Sequence, residues 1–201
     1  MNTFEHKYVE GEPGLPVLLL LHGTGGSPDD LLGLARELSP GSATLAPAGP
    51  VSEFGAARWF RRLAEGVFDY EDVVKRANDL ADFIEAAKSE YGLEERRFVA
   101  VGFSNGANIA AAVTLLRPEV LKEAALFSGM SPVPQPPGHD LSDTRVFLSN
   151  GEQDPMAPLA STEEYIRLLK ERGAEVTTHR QPGGHQITLD GVRAAREWLA
   201  R

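Results

Sequence analysis

A buried strand that runs into a helix through Gly102-Phe103-Ser104-Asn105-Gly106 restricts this chain to few architectures. Arg97 to Val101 is apolar and β-branched, as a strand covered on both faces requires, and Ala107 to Val113 reads as a helix. A turn sharp enough to join them pushes the serine hydroxyl out above the sheet and holds the serine in a strained backbone conformation. The glycines on either side leave the room that strand and helix need to approach each other. Ser104 is therefore the candidate nucleophile. Taken alone, Gly-x-Ser-x-Gly also fits an ordinary Gly-rich loop; its flanks give it weight.

With 201 residues, 42% of them hydrophobic, the chain can bury one core, and a single domain over 1–201 is expected. It has no cysteine, so a disulfide frame, a thiolate nucleophile and a zinc-cysteine site are all excluded, and any nucleophile must be oxygen. A formal charge of -9 disfavours nucleic acid as a partner. The polar, acidic stretch Met1 to Gly14 does not look like an export signal, and Leu15 to Leu21 is too short to span a membrane. A cytoplasmic location without membrane insertion follows as the expectation.

Strand and helix patterns alternate along most of the chain. Val17–Leu21, Ala43–Ala46, Arg97–Val101, Ala124–Phe127, Arg145–Leu148 and Glu175–Thr178 read as strands. Pro28–Leu38 with Ser27 as cap, Glu71–Tyr91 stopped by Gly92, Ala107–Val113, Ala160–Glu171 and Asp190–Leu199 read as helices. The pattern predicts an α/β fold with a mainly parallel central sheet and helices on both faces. Val51 to Tyr70, with Trp59, Phe60 and Phe68 among arginines, is too long for a plain connection and is expected to cover part of a pocket. Gly129 to Thr144 carries four prolines and is too short for a helical lid, so no cap domain is expected.

A serine needs a base to take its proton and a third group to orient that base. Catalytic loops of an open parallel sheet lie at the carboxyl ends of its strands. His185 in Gln181-Pro182-Gly183-Gly184-His185 meets that condition, whereas His6 and His139 read as solvated and His179 as a strand residue. Asp154 in Gly151-Glu152-Gln153-Asp154-Pro155 follows the preceding strand and is the candidate acid, with Glu152 as its nearest rival. The chain order Ser104, Asp154, His185 is that of an α/β-hydrolase. Two donors for an oxyanion are expected from the backbone N–H groups of Asn105, directly after the serine, and Thr24, in Leu21-His22-Gly23-Thr24-Gly25-Gly26. That loop lacks both the dinucleotide spacing and a Walker lysine, which makes a nucleotide site the lesser reading.

On these four motifs the chain resembles the phospholipase/carboxylesterase branch of the α/β-hydrolases, the family of small bacterial carboxylesterases and acyl-protein thioesterases. The resemblance implies an α/β-hydrolase fold with Ser104, Asp154 and His185 as catalytic residues. Thr24 stands where acyl-protein thioesterases commonly have leucine, and Asn105 where they commonly have glutamine, which makes depalmitoylation the weaker expectation.

The expected activity is hydrolysis of short to medium acyl esters through an acyl-enzyme, with a small-molecule ester as partner and no metal or other cofactor. A thioesterase or lysophospholipase would use the same three residues, and a non-catalytic binding module on this fold is the alternative from another class. A homodimer stays open. Trp59, Phe60, Phe68, Met156 and Arg61 are the candidate substrate contacts, with Arg58 and Arg62 as further candidates at the rim. The bland alternative makes the aromatics satellite core and the arginines a solvated face.

Overall fold

The computed structural model describes residues 4–201. In chain order its elements are β1 (His6–Val9), β2 (Val17–Leu21), α1 (Leu32–Leu38), β3 (Ala43–Pro47), β4 (Val51–Glu53), β5 (Ala56–Arg58), β6 (Arg62–Ala64), β7 (Val67–Phe68), α2 (Tyr70–Glu90), β8 (Phe98–Phe103), α3 (Asn105–Leu116), β9 (Glu123–Phe127), β10 (Arg145–Gly151), α4 (Leu159–Glu171), β11 (Glu175–Gln181) and α5 (Leu189–Leu199). Seven strands form one sheet in the order β1-β3-β2-β8-β9-β10-β11. Only β1 is antiparallel to its neighbour; the remaining pairs are parallel.

The alternation of side chains along each strand divides the core in two. Leu19, Ala100 and Leu126 point to the face covered by α2, α3 and α4, where they join Ile84, Ile109 and Leu169. Leu18, Val99 and Phe147 point to the other face, where α1 and α5 supply Leu38 and Trp198. Strands apolar at every position therefore have a use for both faces, and this is the α/β-hydrolase arrangement expected from the sequence. No helix lies between β9 and β10, so the sheet carries no helical cap at that point.

Several local expectations change. The first helix begins at Leu32 rather than Pro28, and Ser27 caps no helix: its hydroxyl accepts from Asp29 N–H at 3.3 Å and donates to Asp30 at 2.9 Å, closing a turn instead. The polar segment around His6 is an edge strand. His6 is partly buried, bonded to Tyr91 Oη at 2.7 Å and packed on Phe83, and is not simply solvated. The irregular stretch Val51 to Tyr70 is two hairpins, β4-β5 and β6-β7, followed by Asp69, whose carboxylate accepts from Asp72 N–H and caps α2.

The turn after β8 depends on small residues. A Cβ on Gly106 would collide with the backbone carbonyls of Leu21 and His22, and one on Gly102 would meet the Ala107 backbone at 2.8 Å. Alanine normally favours a helix over glycine, so Gly106→Ala separates the two effects. Overpacking predicts a loss of about 1–3 kcal/mol in urea unfolding, against a gain of about 0.5–1 kcal/mol from propensity alone; a variant as stable as the parent would contradict the close approach of α3 to β2.

Candidate active site

Ser104 sits at the carboxyl end of β8 with φ 54° and ψ -119°, in a region that a residue with a Cβ rarely adopts. Its backbone N–H donates to Phe127 O at 3.0 Å, which anchors the turn to the end of β9. Its Oγ lies 2.8 Å from His185 Nε2, and His185 Nδ1 lies 2.8 Å from Asp154 Oδ2. The structure therefore brings Ser104, Asp154 and His185 into one hydrogen-bonded chain.

Each partner is held from behind. Asp154 is 4% exposed, and its other carboxylate oxygen accepts from the backbone N–H groups of Met156 at 2.8 Å and Ala157 at 3.0 Å. Both bonds engage one oxygen of a buried carboxylate and leave the other for His185. An ionised Asp154 accepts only, so His185 Nδ1 carries the proton and Nε2 faces the serine hydroxyl as an acceptor. The acid and base loops are laced together: Glu152 N–H donates to Gln181 O, Gln153 N–H to Gly183 O, and the Gln181 side chain bridges Gly183 and Gly184. Glu152, the rival acid, is exposed.

The loop bearing Thr24 closes the opposite side. Buried His22 donates from Nδ1 to Gly23 O at 2.7 Å and accepts at Nε2 from Gly49 N–H at 2.9 Å, a neutral ring used as a brace. Gly25 N–H donates to Ala57 O, and Arg58 Nη1 donates to Thr24 Oγ1 at 2.7 Å. The Asn105 N–H opens α3, where no preceding helical turn supplies an acceptor.

A cleft of ≈ 270 Å³ adjoins Ser104, lined by Thr24, Arg58, Arg62, Phe68, Asn105, Asn108, Met130 and Met156 among others. Of the candidate substrate contacts, Phe68 and Met156 line this cleft. Trp59 and Phe60 do not: they are 1% and 0% exposed and belong to the core under α2, because Trp59 Nε1 finds its acceptor inward at His22 O, 2.8 Å away. Arg61 also leaves the cleft. Its side chain is 62% exposed and pairs with Asp69 at 3.0 Å on the outer surface, while Arg58 and Arg62 are the arginines that line the cleft. Asn108 and Met130 were not anticipated. Asn108 follows Ser104 by four residues, the spacing of one helical turn, which was the available signal.

Among the described residues no group of three or more His, Cys, Asp or Glu side chains is placed to hold a metal, and no helix is long and apolar enough to cross a membrane. The arrangement can activate a hydroxyl by general-base catalysis.

Comparison with known proteins gives the same direction. Residues 9–201 match the family model described as Phospholipase/Carboxylesterase. A protein of Bacillus subtilis (strain 168) that carries the name "Putative hydrolase MhqD" is 42% identical over 194 residues, 96% of each chain. The Bacillus cereus carboxylesterase structure is 41% identical with a TM-score of 0.94, covering 99% of this chain and 94% of that one. A carboxylesterase from Mesorhizobium loti is 29% identical with a TM-score of 0.91, covering 98% and 94%.

An Nδ1–H of His185 donating to Asp154 has a spectroscopic consequence. Its Nδ1 proton is expected well downfield of the amide envelope in a proton NMR spectrum. Asp154→Ala should remove that resonance and Asp143→Ala should leave it; survival in Asp154→Ala would contradict the pairing.

Proposed function

The chain belongs to the phospholipase/carboxylesterase family, an esterase-type hydrolase acting on small-molecule esters, and from that premise we propose that it is a serine carboxylesterase working through an acyl-enzyme on Ser104. The observation that carries this reading is the unbroken relay from Ser104 Oγ through His185 to Asp154, with 2.8 Å at each step. The whole chain acts as one catalytic domain.

In this mechanism Ser104 Oγ attacks the ester carbonyl carbon as its proton passes to His185 Nε2. The carbonyl π electrons move onto oxygen, and the oxyanion is received by the backbone N–H groups of Thr24 and Asn105. Asp154 keeps its charge throughout and stabilises the imidazolium. Collapse of the tetrahedral intermediate breaks the bond to the alkoxy oxygen, which takes the proton from His185 and leaves as alcohol. Water then repeats the sequence on the acyl-serine, releasing the carboxylic acid and restoring Ser104. Nucleophile, base and oxyanion donors all come from the chain, so EDTA should leave turnover unchanged.

The small cleft, without a helical cap beside it, supports short to medium acyl esters in solution as substrates. Ser104→Ala is expected to lower kcat by at least about 10⁴-fold with little change in urea unfolding, because it removes one atom and its single hydrogen bond to His185. Retention of more than a few per cent of the rate would overturn the assignment. Rates should fall with lengthening acyl chains and show no jump at the substrate's micelle concentration; a rise with chain length would point to a lysophospholipase instead.

A further inference from the structure

Two asparagines in the wall of the cleft have their side-chain oxygens already committed. Asn105 Oδ1 accepts from the Trp59 backbone N–H at 2.8 Å, and Asn108 Oδ1 accepts from the Met130 backbone N–H at 2.9 Å. A backbone N–H can only donate, so these bonds fix both amides with their NH₂ groups as the uncommitted ends. Asn105 Nδ2 is buried with no partner, and Asn108 Nδ2 has no acceptor among the described residues.

Arg58 adds a charge to these donors. The residue is 3% exposed and lines the cleft. Its Nη1 is spent on Thr24 and its Nε on Phe60 O at 3.2 Å, which leaves Nη2 without a hydrogen bond among the described residues. Glu53 neutralises it only in part: the nearest approach is 3.4 Å, and both Glu53 oxygens are held by Arg62, at 2.7 Å for the closest contact. Glu65, the other acid beside the cleft, is exposed to water. Two amide NH₂ groups and one incompletely paired guanidinium thus belong to residues that line one small cavity, and the buried, unpaired Asn105 Nδ2 is costly unless a ligand supplies the acceptor.

We infer that the cleft selects esters carrying a free carboxylate, such as monoesters of dicarboxylic acids, with Arg58 and the Asn105 and Asn108 amides receiving the anion. The inference rests on the esterase reading and names its substrate class. It also runs against the molecule's overall field, since a chain of formal charge -9 repels anions and only a local site can reverse that preference.

The protein is assayed by pH-stat on monoethyl glutarate and monoethyl adipate against ethyl pentanoate and ethyl hexanoate. The wild type should favour the acid esters by at least ten-fold in kcat/KM, mainly through KM. Asn108→Asp keeps the acceptor for Met130 N–H but turns the donor into an anion, and should bring that ratio to one or below, as should Arg58→Met. A wild-type preference for the neutral esters, or variants that lower both substrates by the same factor, would overturn the proposal and leave Arg58 as a brace for Thr24. Calorimetric titration with glutarate reads the anion site without turnover. Binding lost in both variants supports the site even if no ester is cleaved, in which case the esterase reading alone fails; absence of glutarate binding overturns the site whatever the turnover.

Discussion

Everything in the cleft is referred to the backbone of Ser104. A residue with a Cβ held at positive φ costs about 1–3 kcal/mol, and the surrounding contacts hold this conformation from several sides. The N–H of Ser104 is tied to Phe127 O, and Gly102 and Gly106 bring α3 against β8 and β2 at distances no side chain would permit. Relaxing the turn would break that bond or push the helix off the sheet. The strain therefore sets the height of the hydroxyl above the carboxyl edge of the sheet, and the other loops are positioned to meet it there.

Those loops are held by backbone bonds more than by ion pairs. Parallel pairing of β10 with β11 places the ends of the two strands level, Gly151 beside Gln181, so the turns that follow them start side by side. A Cβ on Gly151 would strike the carbonyls of Gly183 and Gly184, which shows how tightly the acid and base loops pack. Across the cleft, the hairpin of β4 and β5 supplies Ala57 O to Gly25 and Arg58 to Thr24, so a segment outside the main sheet fixes the loop proposed to receive the oxyanion. The cleft wall also carries the Asn105 and Asn108 amides, whose oxygens are already engaged by backbone N–H groups, and that commitment bears on which esters it would take.

The sheet and the Ser104, Asp154 and His185 contacts were legible because strand periodicity and chain order constrain them strongly. Long apolar strands alternating with amphipathic helices admit few arrangements, and loops at carboxyl ends of parallel strands converge. Val51 to Tyr70 was not legible in the same way. Its strands are two or three residues long, too short for a period to show, and their pairing depends on contacts with Gly25 and Asn105 far away in the chain. Trp59 and Phe60 looked like cleft residues for the same reason: an aromatic beside arginines serves as core or as lining, and only the inward acceptor at His22 O decides. His6 followed this rule on a smaller scale, with Tyr91 as the distant partner that composition could not reveal.

The central claim is that the strained hydroxyl of Ser104 is the atom that becomes acylated. It is tested most directly by quenching the protein in acid during turnover of an activated short-chain ester and mapping the peptides by mass spectrometry. The account predicts one acyl group per chain on Ser104, absent from His185→Gln. Turnover without any adduct on Ser104, or an adduct on another residue that accumulates and decays at the catalytic rate, would contradict it.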